Sequence, residues 1–179
     1  IGLANLEKIY AVVGNRTTAV FVTGADFGTQ AGPFISPKSY RDLFMPFHKT
    51  VNDWIHRNTS WKSFIHSCGS VVALIPHFLE AGFDILNPVQ TSAAGMDPQT
   101  LKDRFGERLT FWGGGVDTQK TLPFGIPQEI NAEVAERMRI FGKGGGFVWN
   151  SIHNVQASIS QENLVALYQA VAQYRESLP

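Results

Sequence analysis

The sequence is short of thiols, of net charge and of long apolar runs, and each shortage excludes something. A single cysteine, Cys68, in 179 residues rules out an internal disulfide framework, so a reducing compartment, the cytoplasm, is the expectation. Fifteen basic and fifteen acidic side chains cancel to a formal net charge of zero. With no basic excess to neutralise phosphates, nucleic acid is not expected as the main partner. No apolar run reaches the roughly 18 residues of a membrane-spanning helix, and the opening "IGLANLEKIY" lacks the basic region and long apolar core of a signal peptide. No membrane partner is expected. The opening also lacks an initiator methionine, which leads us to expect a processed, trimmed or partial chain.

What is present is a regular alternation. Hydrophobic residues make up 44% of the chain and charged residues 17%, enough for one sizeable core. "TAVFVTG" (18 to 24) reads as a buried strand, and "SPKSYRDLFMPFHKTVNDWIHRN" (36 to 58) as a helix with Ser36 as N-cap, Pro37 at the first position and a kink at Pro46. Strand and helix then alternate again: 62 to 67 with 71 to 82, 83 to 89 with 97 to 107, 108 to 114 with 126 to 143, and 145 to 150 with 160 to 178. A helix over residues 3 to 13 precedes them. Ser160 opens a capping box with Asn163 in the place of the usual acid or Gln.

Strands apolar throughout, in βαβα order, imply a parallel sheet covered by helices, either doubly wound or a barrel. The glycine-rich or polar segments after the strands, "GADFGTQAG", "HSCG", "NPVQTSAAG", "GGGVDTQ" and "NSIHNVQ", favour the barrel, which builds its chemistry at that end. An eight-unit barrel needs about 250 residues. We therefore expect an α/β fold, a partial TIM (β/α)8-type barrel of about five βα units, over residues 1 to 179 as one region. Its open edges call for an N-terminal portion, a second chain or an oligomer.

Residues two apart in an extended segment share a side, so His66 and Cys68 can reach one ion together. Imidazole with thiolate suits zinc, and His153, three residues past the last strand, is the candidate third ligand. The structural alternative makes Cys68 a small buried hydrophobe and His66 a hydrogen-bonded strand end. His48, His56 and His77 fall within helices and read as packed or partly exposed. Asp97 reads as an N-cap before Pro98. Asp26 and Asp117 stand where catalytic groups of a barrel stand, as acid, base or orienting partner of a ligating histidine, with a turn role the alternative for Asp117. "GGG" at 113 to 115 offers backbone to an anionic or planar substrate, and 144 to 146 reads as a helix stop. Asn87, Gln90, Gly114 and Gln119, with Asn150, Asn154 and Gln156, complete a rim suited to a small polar ligand.

Taken together, "HSCGSVVALIPHFLEAGFDILNPVQTSAAGMDPQTLKDRFGERLTFWGGGVDTQ", "LPFGIPQEI", "GGGFVWNSIHNVQ" and the upstream "DFGTQAGPFISPKSYRDLFMPFHKTV" resemble the C-terminal part of the uroporphyrinogen decarboxylase superfamily. The resemblance implies a barrel with two branches. True decarboxylases use no metal and bind a tetrapyrrole through an N-terminal arginine-rich region that this chain does not contain. Corrinoid-dependent methyltransferases, including the methylcobalamin to coenzyme M type, bind zinc through H-x-C and a later cysteine. His66 and Cys68 match the second pattern, and His153 stands where its cysteine is. The resemblance thus implies zinc at His66, Cys68 and His153, a thiol substrate and a corrinoid carried by a partner protein. A metal-free decarboxylase and a non-catalytic partial-barrel subunit are the rivals.

Overall fold

A computed structural model describes residues 2–175; the last three residues of the helix read over 160 to 178 lie outside them. The chain divides into two compact units, residues 1–87 and 88–179. The first holds α1 (Gly2–Val13), a 3-10 turn (Gly14–Arg16), β1 (Ala19–Thr23), α2 (Pro37–Leu43), α3 (Met45–Asn58), β2 (Lys62–His66), α4 (Ile75–Glu80) and β3 (Ile85–Asn87). The second holds α5 (Pro98–Phe105), β4 (Thr110–Trp112), α6 (Thr121–Phe124), α7 (Pro127–Gly142), β5 (Phe147–Val148) and α8 (Gln161–Arg175).

In the first unit β1 pairs with β2 and β2 with β3, both in parallel. Val20 and Val22 turn one face of β1 to Leu6 of α1, Ile55 of α3 and Trp61, while Phe21 points to the other face and packs against Phe64 of β2 with the rings tilted and their centroids 5.6 Å apart. Successive residues of β1 thus face opposite sides of the sheet, as the period-2 alternation requires. In the second unit β4 pairs with β5 in parallel, and Leu122 of α6, Ile130, Val134 and Met138 of α7 and Leu167 and Ala170 of α8 form a common core. Among the described residues no helix is long and apolar enough to cross a membrane.

All five expected strands form. The caps at Ser36 and Asp97 also form: Ser36 Oγ accepts the Ser39 N–H at 3.0 Å, and Asp97 Oδ1 the Thr100 N–H at 2.8 Å. Three local readings need correcting. The single kinked helix over 36 to 58 is two helices, parted at Phe44 (φ −116, ψ −45). Pro46 has no N–H to continue the ladder and instead sits in the first turn of α3, where that N–H has no intrahelical partner to lose. The box at Ser160 is half-formed: Ser160 Oγ accepts the Asn163 N–H at 3.1 Å. The buried Asn163 amide instead donates to the carbonyls of Leu122 and Gly125, both at 2.9 Å, satisfying the end of α6. That four-residue helix is itself absent from the sequence reading, being too short to show a period.

Candidate metal centre

The alternation of β2 places Ser63 and Ile65 inside and Phe64 and His66 on the opposite face. Ser67, the next residue, is buried and Cys68 half-buried, so His66 and Cys68 share a side. Parallel register sets His66 beside Asn87, and His66 Nδ1 donates to Asn87 Oδ1 at 2.6 Å. With its proton held at Nδ1, the imidazole presents the Nε2 lone pair, 3.5 Å from Cys68 Sγ.

Asp26 arrives from the loop after β1, which is laced to the turn after β2 residue by residue. The Phe27 N–H donates to Ser67 Oγ at 2.8 Å, the Cys68 N–H to Asp26 Oδ1 at 2.8 Å, and the Ser70 N–H to the Thr29 carbonyl at 2.7 Å. Such closeness needs two glycines. A Cβ on Gly69, whose φ is +84, would lie 2.4 Å from the Gly28 carbonyl carbon, and one on Gly28 would lie 2.5 Å from the Cys68 carbonyl oxygen. Phe27 supplies the anchor: it is 3% exposed, with its ring edge-on to Tyr40 of α2 and to Phe44 at centroid distances of 5.3 and 5.1 Å. The pairing register of β1 with β2 shifts between Phe21 and Thr23, just before this loop.

The result is a cluster in which one ligand atom each from Asp26, His66 and Cys68 lies within 4.8 Å of the others; Asp26 Oδ1 is 3.9 Å from His66 Nε2. Burial, then the negative charge of Asp26 and a hydrogen bond to it, push the Cys68 thiol up to about 11. The bare thiol is therefore protonated near neutral pH, and a cation bound here has to displace that proton. Carboxylate, imidazole and thiolate form a donor set that zinc accepts. The 3.5 Å between Sγ and Nε2 is close to the separation of about 3.6 Å that tetrahedral zinc bond lengths give.

The other sequence candidates are placed differently. His153 is exposed in the second unit, with Ser151 Oγ donating to its carbonyl at 2.8 Å, and it is not a member of the three-residue cluster. Asp117 is 8% exposed, and its Oδ1 accepts the N–H groups of Gln119 and Lys120 at 2.7 and 3.2 Å, the turn role that competed with the catalytic one. Gly114 (φ +79) lies against Val89, whose carbonyl oxygen a Cβ would meet at 3.0 Å. Its bareness serves backbone packing. Gln90 is buried and Gln119 exposed. Of the helix histidines, His48 Nδ1 pairs with Tyr40 Oη at 2.8 Å and burial lowers its pKa, while His56 Nε2 pairs with Asp84 Oδ2 at 2.7 Å.

Two contributors were not assigned these roles by sequence reasoning. Asn87 reads there as one neutral rim group among seven, whereas its register beside His66 makes it the orienting partner. Phe27 had a usable signal, an aromatic directly after an acid at a strand exit.

The family model described as "Uroporphyrinogen decarboxylase (URO-D)" matches residues 4–174. The chain belongs to the uroporphyrinogen decarboxylase family. Among curated URO-D relatives, the uroporphyrinogen decarboxylase of Psychromonas ingrahamii is 25% identical over 167 residues, 88% of this chain and 44% of that protein. That of Chlorobium luteolum is 25% identical over 176 residues, 93% of this chain and 47% of the relative. The chain thus spans somewhat under half the length of the curated relatives it matches. Among solved structures, a methyltransferase from Methanosarcina mazei matches 97% of this chain and 47% of its own with a TM-score of 0.68 at 19% identity. The α/β class, with parallel strands in a partial TIM-barrel arrangement, agrees with this URO-D assignment.

Proposed function

We propose that this URO-D family chain is the zinc-binding portion of a methyl-transferring enzyme whose substrates are a thiol and a corrinoid carried by a partner protein. The observation that carries the reading is the His66 to Cys68 pair, with Nε2 and Sγ 3.5 Å apart and the imidazole Nδ1–H donating to Asn87 Oδ1. An imidazole and a thiol so held, the thiol giving up its proton to the ion, are a ready pair of zinc ligands. His153 takes the position after the last strand where the resemblance assigns a further donor.

Bound zinc with an open position lowers the pKa of a substrate thiol and so supplies a nucleophile near neutral pH. The chain's own residues prepare that chemistry. Asn87 keeps the His66 proton on Nδ1, away from the ligand side. Cys68 gives up its proton on metal binding, and its backbone N–H holds Asp26 beside it. Gln90, Gly114, Gln119 and Asp117 belong in this reading to the substrate-facing loops, with Asp117 shaping the loop through its backbone bonds.

A second reading draws on the curated relatives, which are uroporphyrinogen decarboxylases. In it the chain contributes Asp26 and His153 to a metal-free carboxy-lyase acting on a tetrapyrrole, and Cys68 serves only in packing. Metal analysis with paired assays separates the two. The first reading expects zinc in purified protein, its loss in Cys68→Ser, and methylation of a thiol by methylcobalamin that stops on chelation. Decarboxylation of uroporphyrinogen that persists after chelation, by a folded protein without zinc, would establish the second.

A further inference from the structure

We infer that Asp26 is itself a metal ligand, completing a three-donor set of Asp26, His66 and Cys68 inside the first unit, so that zinc is held there chiefly without His153. The inference rests on the zinc reading above and goes beyond it by naming a donor that the H-x-C spacing does not contain. The loop after β1 brings a carboxylate to within 3.9 Å of the imidazole nitrogen left free by Asn87, and one ligand atom from each of the three residues fits within 4.8 Å. Asp26 is not the partner that orients His66, because Asn87 already takes Nδ1. Its carboxylate faces the ligating side of the ring.

The position of Asp26 is fixed before any ion arrives. Its Oδ1 accepts the Cys68 N–H at 2.8 Å, Phe27 beside it is buried, and Gly28 is in backbone contact with Gly69. The same Oδ1 that accepts the Cys68 N–H keeps a further lone pair for coordination, and the carboxylate's terminal torsion is soft enough to close the last half-ångström. Charge points the same way. Zinc with one thiolate, one carboxylate and a neutral imidazole is a neutral site, whereas one thiolate with two imidazoles leaves a net positive charge in a half-buried place.

The test compares Asp26→Asn with His153→Ala in the full chain. Asparagine keeps an oxygen to accept the Cys68 N–H while removing the charged ligand; Asp26→Ser serves as a second variant that also retains an acceptor. Zinc affinity by chelator competition and the visible spectrum of the cobalt(II)-loaded chain are the readouts, with far-UV circular dichroism confirming the fold. The expected result is a zinc affinity lowered more than 100-fold in Asp26→Asn, beyond the range of about 10- to 100-fold for residues that only support a ligand, with an altered cobalt spectrum. His153→Ala should show the smaller loss and an unchanged sulfur-to-cobalt band. An Asp26→Asn chain that binds within about 100-fold of the parent, the range of a merely supporting residue, or a larger loss in His153→Ala, would overturn the inference and leave the zinc reading standing. A folded parent chain that binds neither zinc nor cobalt would remove the zinc reading and the inference with it.

Discussion

Both units follow their strands with glycine-rich segments carrying an aspartate, yet the two aspartates do opposite things. In the first unit, Asp26 accepts one backbone N–H, that of Cys68, and sits among an imidazole and a thiol. In the second, Asp117 accepts two N–H groups of its own turn, those of Gln119 and Lys120. The difference lies in what each loop rests on. Residues 26 to 29 are laced to a neighbouring strand's turn, so a side chain can be held between two loops. Residues 117 to 120 close on themselves and spend the carboxylate in doing so. A polar residue after a strand is thus held between two loops only where a neighbouring loop buttresses its own.

Breaking the buttress should have the largest effect. Phe27→Ala removes the buried anchor beside Asp26, and urea unfolding should show a loss of about 3 to 5 kcal/mol. Next comes Gly69→Ala, which combines a left-handed backbone with a Cβ 2.4 Å from Gly28. A loss of about 3 kcal/mol and weaker zinc uptake are expected, against little change for an alanine at solvent-facing Gly32, where nothing lies within 4 Å.

Asn87→Ala sharpens the comparison without touching the buttress. With His66 Nδ1 no longer held, zinc affinity should fall about 10- to 100-fold, read by chelator competition. The matching change in the second unit, Asp117→Ala, should lower stability by about 1 kcal/mol through its lost turn bonds and leave zinc affinity unchanged.

The smallest effect expected is on pH dependence. The Cys68 thiol is raised from 9.0 to about 11 by burial, aided by Asp26. In the metal-free chain, the unfolded thiol loses its proton first as pH rises from about 9, so the folded state loses stability progressively through about 11. Below 9 both states are protonated and this term is flat. Alkylation of Cys68 by iodoacetamide should accordingly remain slow at pH 8 and accelerate toward 11. In Asp26→Asn that acceleration should begin at lower pH, because the neighbouring negative charge is gone.

The sequence carried the order of strands and helices well, because five short apolar runs separated by helical periods leave few alternatives. It also carried the caps at Ser36 and Asp97, which are local by nature. It carried the pairing of His66 with Cys68 because a strand's period of two is a local fact. The partners of those residues were beyond it. Asn87 reaches His66 only through the β2 to β3 register, and Asp26 reaches Cys68 only through a contact between Gly28 and Gly69 some 40 residues apart in sequence. Both depend on how one loop lies against another. The break at Phe44 and the donation from Asn163 to the end of α6 are of the same kind.

The central claim is that the loops after β1 and β2 build a metal site around Cys68 and His66. X-ray absorption at the zinc edge of the loaded chain tests it most directly. We expect one sulfur neighbour at about 2.3 Å, with the remaining neighbours nitrogen or oxygen at about 2.0 to 2.2 Å, and loss of the sulfur shell in Cys68→Ser. A folded chain that takes up no zinc, or zinc ringed by nitrogen and oxygen alone, would contradict the account.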